Sequence, residues 1–205
     1  MTLVKICGIC DVESALAAVD AGADLLGFHF CDSKRKITPD DAVKILDELP
    51  DGPALVGVFI DQPPREVNSI AEFLGLDIVQ LHGNERPGFE SEHIVMKALK
   101  VRDGVVPDAS GWPDPVLLDS WSEDSRGGTG RAWNWEQAVA LTVTRKVFVA
   151  GGLNPLNVGS VIRRLRPYGV DVSSGVESAP RVKEATLIGA FVDAVRLQDP
   201  VEDAG

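Results

Sequence analysis

Cys7 and Asp119 are the side chains whose type and placement first suggest proton transfer. Each stands at the end of a short apolar run, Cys7 in LVKICG (Leu3 to Gly8) and Asp119 directly after VLL. A cysteine becomes a base once its thiol ionises. Lys5, two residues earlier and so on the same face of an extended strand, would favour that thiolate. The competing reading of Cys7 is an inert core residue. A carboxylate after three apolar residues is costly to bury unless it is paired. Asp119 therefore reads either as a cap for the loop that follows or as a general acid or base whose pKa partial burial has raised. Arg35, flanked by Lys34 and Lys36, is either part of a solvated charge run or a planar fork for a substrate carboxylate. His82 follows Gln80 on one face of a strand and is either a substrate contact or a satisfied core histidine.

A second group of residues offers backbone rather than side chains. The run Val147 to Ala150 ends in Gly151-Gly152, and Gly169 to Val172 ends in Ser173-Ser174-Gly175, with an amphipathic segment between them. That is a strand, helix, strand unit with parallel strands, and its two turns lie at the carboxyl ends of the strands. Glycine there lets N–H groups approach an anion closely. The loop GGTGR (Gly127 to Arg131) adds a third glycine turn, so a phosphate site is expected on this side of the chain.

Such residues converge only if the strands that carry them lie side by side. Apolar runs at Leu3–Gly8, Leu25–Phe30, Ala54–Ile60, Ile78–His82, Ile94–Val101, Val116–Ser120, Val147–Ala150 and Gly169–Val172 predict eight strands. Between them the spacing predicts helices from Asp11 to about Ala21, from Thr38 to about Leu49, from Pro63-Pro64 to about Leu74, and near Trp135 to Leu141. A short helix is expected over Pro87–Glu92, another from about Pro155, and a last one from about Val182 to Leu197. Eight alternations without a break in composition favour a single (β/α)8 barrel over residues 1–198, with a short tail at 199–205. A barrel of this kind places catalytic groups at the carboxyl ends of its strands and phosphate in the loops after strands seven and eight.

Composition narrows the partners. The 205 residues are 44% hydrophobic, enough for an ordinary core, and carry a formal charge of −11, which argues against nucleic acid and does not favour an anionic membrane. A small anion remains compatible, because distant charges are screened beyond roughly 8 Å at physiological ionic strength. Cys7, Cys10 and Cys31 are too few and too clustered for a disulfide framework, so a reducing cytosol is the simplest compartment. The CxxC spacing of Cys7 and Cys10 has no second pair, and with only His29, His82 and His93 as other soft ligands a zinc site is disfavoured. No run approaches membrane-spanning length. Monomer and homodimer are both compatible with the sequence.

The segments VKICG, GADLLGF, VGVF, VQLHGNE, LLDS, GGTGR, AGGLNPLNV and VDVSSGVE together resemble phosphoribosylanthranilate isomerase, in order and from the first strand to the last helix. The resemblance implies a TIM barrel that performs an Amadori rearrangement in tryptophan biosynthesis, on a phosphorylated substrate and without metal or cofactor. On the matching positions Asp119 would be the general acid and Cys7 the general base. Arg35 would hold the anthranilate carboxylate, and Lys5, His82 and Asp171 would line the site. Gly128, Gly151, Gly152, Ser174 and Gly175 would hold the phosphate. One departure is the loop Ser33-Lys34-Arg35, where the family usually has serine, proline, arginine. Losing proline's fixed φ predicts a looser loop before substrate binds. The rival readings are the histidine-pathway isomerase, which grips two phosphates with twofold repeated loops, and a non-catalytic barrel that binds a sugar phosphate.

Overall fold

The computed structural model describes residues 1–102, 105–120 and 135–199. Eight strands, β1 (Leu3–Cys7), β2 (Leu25–His29), β3 (Ala54–Phe59), β4 (Ile78–Leu81), β5 (Ile94–Val101), β6 (Val116–Ser120), β7 (Val147–Ala150) and β8 (Gly169–Val172), close into a barrel in sequence order. Every neighbouring pair is parallel, and closure is made by β1 against β8, with Lys5 opposite Asp171 in register. The period-two alternation separates two apolar layers. Leu25, Val56, Ile78, Met96, Leu117 and Phe148 fill the barrel, while Val4, Ile6, Leu26, Phe28, Val79 and Leu118 pack outward against the helices.

The helices begin where their caps place them. Asp11 accepts the Ser14 N–H at 2.7 Å at the start of α1 (Val12–Asp20), and Thr38 accepts the Asp41 N–H ahead of Pro39 at the start of α2 (Pro39–Leu46). The Pro63-Pro64 pair opens α3 (Pro64–Leu74), which ends on Gly75 in the left-handed conformation. Then follow α4 (Trp135–Thr144), α5 (Val158–Leu165) and α6 (Ala185–Arg196).

Three expected helices differ. Residues 87–92 form no helix: Gly88 takes φ 86°, and Asn68 bonds both the Glu90 carbonyl and the Ser91 hydroxyl, holding the crossing open. Helix α5 starts at Val158 rather than Pro155. The Asn154 side chain accepts the N–H groups of Leu156 and Asn157 while Asn157 accepts that of Asn154, so a turn of reciprocal side-chain bonds occupies the first residues. Helix α6 starts at Ala185 rather than Val182 because Glu177–Ala179 (β9) and Val182–Lys183 (β10) pair as an antiparallel ribbon, turning at Arg181 with φ 75°. At the opposite end of the barrel, Asp199 accepts the Thr2 N–H at 2.8 Å, and the tail residues 200–205 lie outside the described ones. Among the described residues no helix is long and apolar enough to cross a membrane.

Candidate active site

The inward side chains of the last strand residues meet at the carboxyl-terminal mouth. Lys5 is fully buried and its ammonium lies 2.9 Å from Asp171 Oδ1, joining β1 to β8 beneath the mouth. Burial alone would depress the Lys5 pKa, but the Asp171 carboxylate and the Cys7 sulfur outweigh it and hold the ammonium above its ordinary value. Cys7 stands one layer higher, 4% exposed. Its pKa is pushed up, first by burial and further by Asp171, against the downward pull of Lys5 and Lys183. Lys5 thus acts in the expected direction without prevailing. The resting group is a thiol.

That thiol has a partner absent from the sequence-based expectations. Its Sγ lies 3.3 Å from His29 Nε2, at the end of β2, and His29 Nδ1 lies 2.8 Å from Ser33 Oγ. Ser33 Oγ in turn accepts the Arg35 N–H at 3.0 Å. Burial first, then the cations Lys5 and Arg35, with His82 and Lys183 behind them, lower the His29 pKa to about 3, so the ring is neutral. The signal for His29 was available: alternation from Leu25 and Gly27 puts it on the inward face.

Arg35 passes directly over the end of β1. Gly8 sits there with φ 77°, and a Cβ on it would overlap Arg35 Cδ, so the path of the arginine requires glycine. The guanidinium forks onto Glu177, Nε to Oε1 at 2.6 Å and Nη2 to Oε2 at 2.5 Å, and this bond raises its pKa. One edge of the fork expected for a substrate carboxylate therefore already holds an internal one. Lys183 adds a third donor, its Nζ 3.0 Å from both Glu177 Oε1 and the Ser173 carbonyl. Burial pushes the Glu177 carboxyl up, yet Arg35 and Lys183 together hold it below the usual range. The loop that carries Arg35, where proline is missing, is tied down from two sides: Arg181 Nη1 of the ribbon donates to the carbonyls of Lys34 and Lys36, and Cys10 Sγ, in the loop after β1, donates to that of Arg35. Neither Glu177 nor Lys183 is legible as a site residue in sequence, because both act from beyond β8, the last strand of the barrel.

On the far side of the mouth, Asp119 Oδ2 lies 3.1 Å from His82 Nε2, and His82 Nδ1 lies 3.3 Å from Gln80 Nε2. The His82 ring is thus held between the Gln80 amide at Nδ1 and the Asp119 carboxyl at Nε2. Gln80 is 1% exposed and its Oε1 has no hydrogen-bond partner among the described residues. The loop after β4 is held by Lys97, whose ammonium donates to the Gly83 carbonyl and to Glu85, both at 2.6 Å.

The glycine loops lie between these two walls. Gly151 and Gly152 take φ 90° and 66°, and a Cβ on Gly175 would overlap the Leu153 carbonyl oxygen, so the loops after β7 and β8 are in backbone contact. Ser174 opens a 3-10 turn (Ser174–Val176), and the neighbouring Ser173 Oγ is buried with no hydrogen-bond partner among the described residues. Gly128, expected on the third loop, lies outside the described residues. Among the described residues no group of three or more His, Cys, Asp or Glu side chains is arranged to hold a metal ion.

Known proteins resemble this chain over nearly its whole length. The family model for N-(5'-phosphoribosyl)anthranilate (PRA) isomerase matches residues 4–194. A protein of that name from Pelobacter propionicus is 47% identical over 197 residues, covering 94% of each chain. Among solved structures, a phosphoribosyl anthranilate isomerase in complex with reduced 1-(o-carboxyphenylamino)-1-deoxyribulose 5-phosphate superposes with a TM-score of 0.80 at 35% identity, over 96% of this chain and 99% of that one. Monomers generated from the dimeric enzyme of Thermotoga maritima superpose at 0.77 and 36%, with the same coverage.

Proposed function

The chain belongs to the N-(5'-phosphoribosyl)anthranilate isomerase family, and from that premise we propose how its residues divide an Amadori rearrangement of a phosphoribosylated anthranilate in tryptophan biosynthesis. The observation that carries the proposal is the placement of Cys7 and Asp119. In the strand order β1 and β6 are three strands apart one way and five the other, so the two groups face each other across one mouth. Asp119 gives its proton to the furanose ring oxygen as the C1–O bond breaks, and the anilino nitrogen lone pair forms the C1=N bond. Cys7, as the thiolate, takes the proton from C2, and the C2–H electrons form C1=C2 while the C=N pair returns to nitrogen. The enolamine then tautomerises, gaining a proton at C1 and losing one from the C2 hydroxyl, to give the ketose.

The remaining residues position the substrate. Gly151, Gly152, Ser174 and Gly175 present backbone donors to the phosphate. Arg35 offers the edge of its guanidinium that Glu177 leaves free to the anthranilate carboxylate. Lys5 and Asp171 form the floor, and His82 holds Asp119 from behind.

Complementation of a tryptophan auxotroph lacking this isomerase tests the reading, with a histidine auxotroph as control. Cys7→Ser and Asp119→Asn should each lower turnover of the purified protein by about 10²–10⁴-fold while its thermal unfolding stays cooperative. Growth of the histidine strain alone, or near-normal turnover in either variant, would sink the assignment.

A further inference from the structure

The proposed chemistry requires Cys7 to be a thiolate, whereas the resting group is a buried thiol with its ammonium neighbour already paired to Asp171. Its proton needs an exit. The contacts from the sulfur outward supply one: Cys7 Sγ to His29 Nε2 at 3.3 Å, His29 Nδ1 to Ser33 Oγ at 2.8 Å, and Ser33 itself half-buried on the surface loop. We propose that His29 and Ser33 form a relay that carries the Cys7 thiol proton to solvent; this rests on the assignment of Cys7 as the base.

In the resting tautomer the thiol S–H donates to Nε2, and the Nδ1–H donates to Ser33 Oγ. In the relay the S–H bond breaks as Nε2–H forms, Nδ1–H breaks as a new O–H forms on Ser33, and the hydroxyl's original proton passes to water. Afterwards the Ser33 hydroxyl donates to Nδ1 and Nε2–H donates to the thiolate, so the new charge is met by a hydrogen-bond donor. Charge appears only on sulfur and on the water that leaves. The imidazole stays neutral at both stages, as its surroundings require: Lys5 from β1, Arg35 from the loop after β2, His82 from β4 and Lys183 from β10 all disfavour an imidazolium, while Asp171 on β8 is taken up by Lys5. A direct thiolate–imidazolium pair would have to form against those cations. Ser33 also accepts the Arg35 N–H, so the relay runs through the loop that positions the substrate carboxylate.

His29 is thereby a positioning residue for the base, and both of its nitrogens are needed. The test uses the full chain carrying His29→Ala, assayed for kcat and KM with and without added imidazole or 1-methylimidazole. The relay predicts a kcat lower by on the order of 10²-fold with KM little changed. It also predicts that the acid limb of the pH profile of kcat/KM moves to higher pH. Imidazole, with a donor and an acceptor nitrogen, should restore turnover, and 1-methylimidazole, which cannot pass a proton through, should not. Ser33→Ala should lower kcat in the same sense, and Ser33→Thr, which keeps the hydroxyl, should recover most of the loss. Normal turnover in His29→Ala or in Ser33→Ala, or equal rescue by the two bases, would overturn the relay. If neither base enters the cavity, the Ser33→Ala and Ser33→Thr pair decides alone. Unmodified protein and Cys7→Ser are run alongside. An inactive unmodified protein or an active Cys7→Ser defeats the isomerase or base assignment, whereas a dead Cys7→Ser beside a normal His29→Ala defeats only the relay.

Discussion

Replacing Gly8 by alanine should do more damage than one methyl group implies. The position has φ 77°, where an L-residue costs roughly 1–2 kcal/mol. The added Cβ would also occupy the place of Arg35 Cδ, a methylene whose far end is fixed by two bonds to Glu177. The arginine cannot swing aside without breaking that fork, and charge-assisted bonds of this kind are worth about 1.5–3 kcal/mol. The combined destabilisation is about 2.5–5 kcal/mol, which for a chain of this length lowers Tm by about 5–20 °C. Thermal unfolding followed by circular dichroism measures it, and a double-mutant cycle apportions it. In an Arg35→Ala background the steric share has no source, so Gly8→Ala should there cost only the backbone term of about 1–2 kcal/mol. An equal cost in both backgrounds would refute the reasoning, because the fork would then have nothing to do with the requirement for glycine.

Two further outcomes follow from buried charge. The folded-state pKa of His29, about 3, lies below its unfolded value of 6.5, so as pH falls the unfolded chain binds the proton first and stability drops between those values. Urea unfolding at pH 7 and pH 5 should show the unmodified protein losing about 2 kcal/mol more than His29→Asn, and identical losses would show that the ring is not held neutral. Lys97 and Glu85, with side chains 7% and 5% exposed, form an ion pair whose single disruption by Lys97→Met should cost about 3–5 kcal/mol in denaturant unfolding. Adding Glu85→Gln should return part of that loss, since the uncompensated carboxylate is then gone.

The barrel was legible because its signal is local and repeated. All eight apolar runs became strands within one residue of their expected ends, and Asp11, Thr38-Pro39 and Pro63-Pro64 start helices for reasons contained in neighbouring residues. The misplaced helix starts have a common cause. At Asn154 and at the ribbon Glu177–Lys183, side chains or a second strand compete for backbone groups that periodicity alone assigns to a helix. The site divides in the same way. Cys7, Asp119, His82 and the glycine turns after β7 and β8 stand at strand ends, where the fold itself says to look. Glu177 and Lys183 act through the close return of a ribbon after β8 onto the loop after β2, a contact between residues 142 positions apart in the case of Arg35 and Glu177. No spacing within either segment encodes it.

The charge pattern of the mouth gives the high pKa of Cys7 a use. Along the wall formed by β8, β1, the loop after β2 and the β9–β10 ribbon, three cations, Lys5, Arg35 and Lys183, face two carboxylates, Asp171 and Glu177, leaving one net positive charge among these five in a chain of −11. A thiolate at Cys7 would cancel it. While Cys7 remains a thiol the wall attracts an anionic substrate, and low local dielectric strengthens that attraction over the screened charges of the outer surface. On the proposed mechanism, protonation and opening of the sugar ring leave a cationic Schiff base next to C2. That is the moment at which a thiolate gains a new neighbouring positive charge, so base and acid need not be ionised and protonated in the same resting state. A cysteine with a lowered pKa would spend the wall's positive charge before substrate arrived. On that mechanism, burial of Cys7 beside the Asp171 carboxylate, against the pull of Lys5, would delay ionisation until the chemistry supplies its counter-charge.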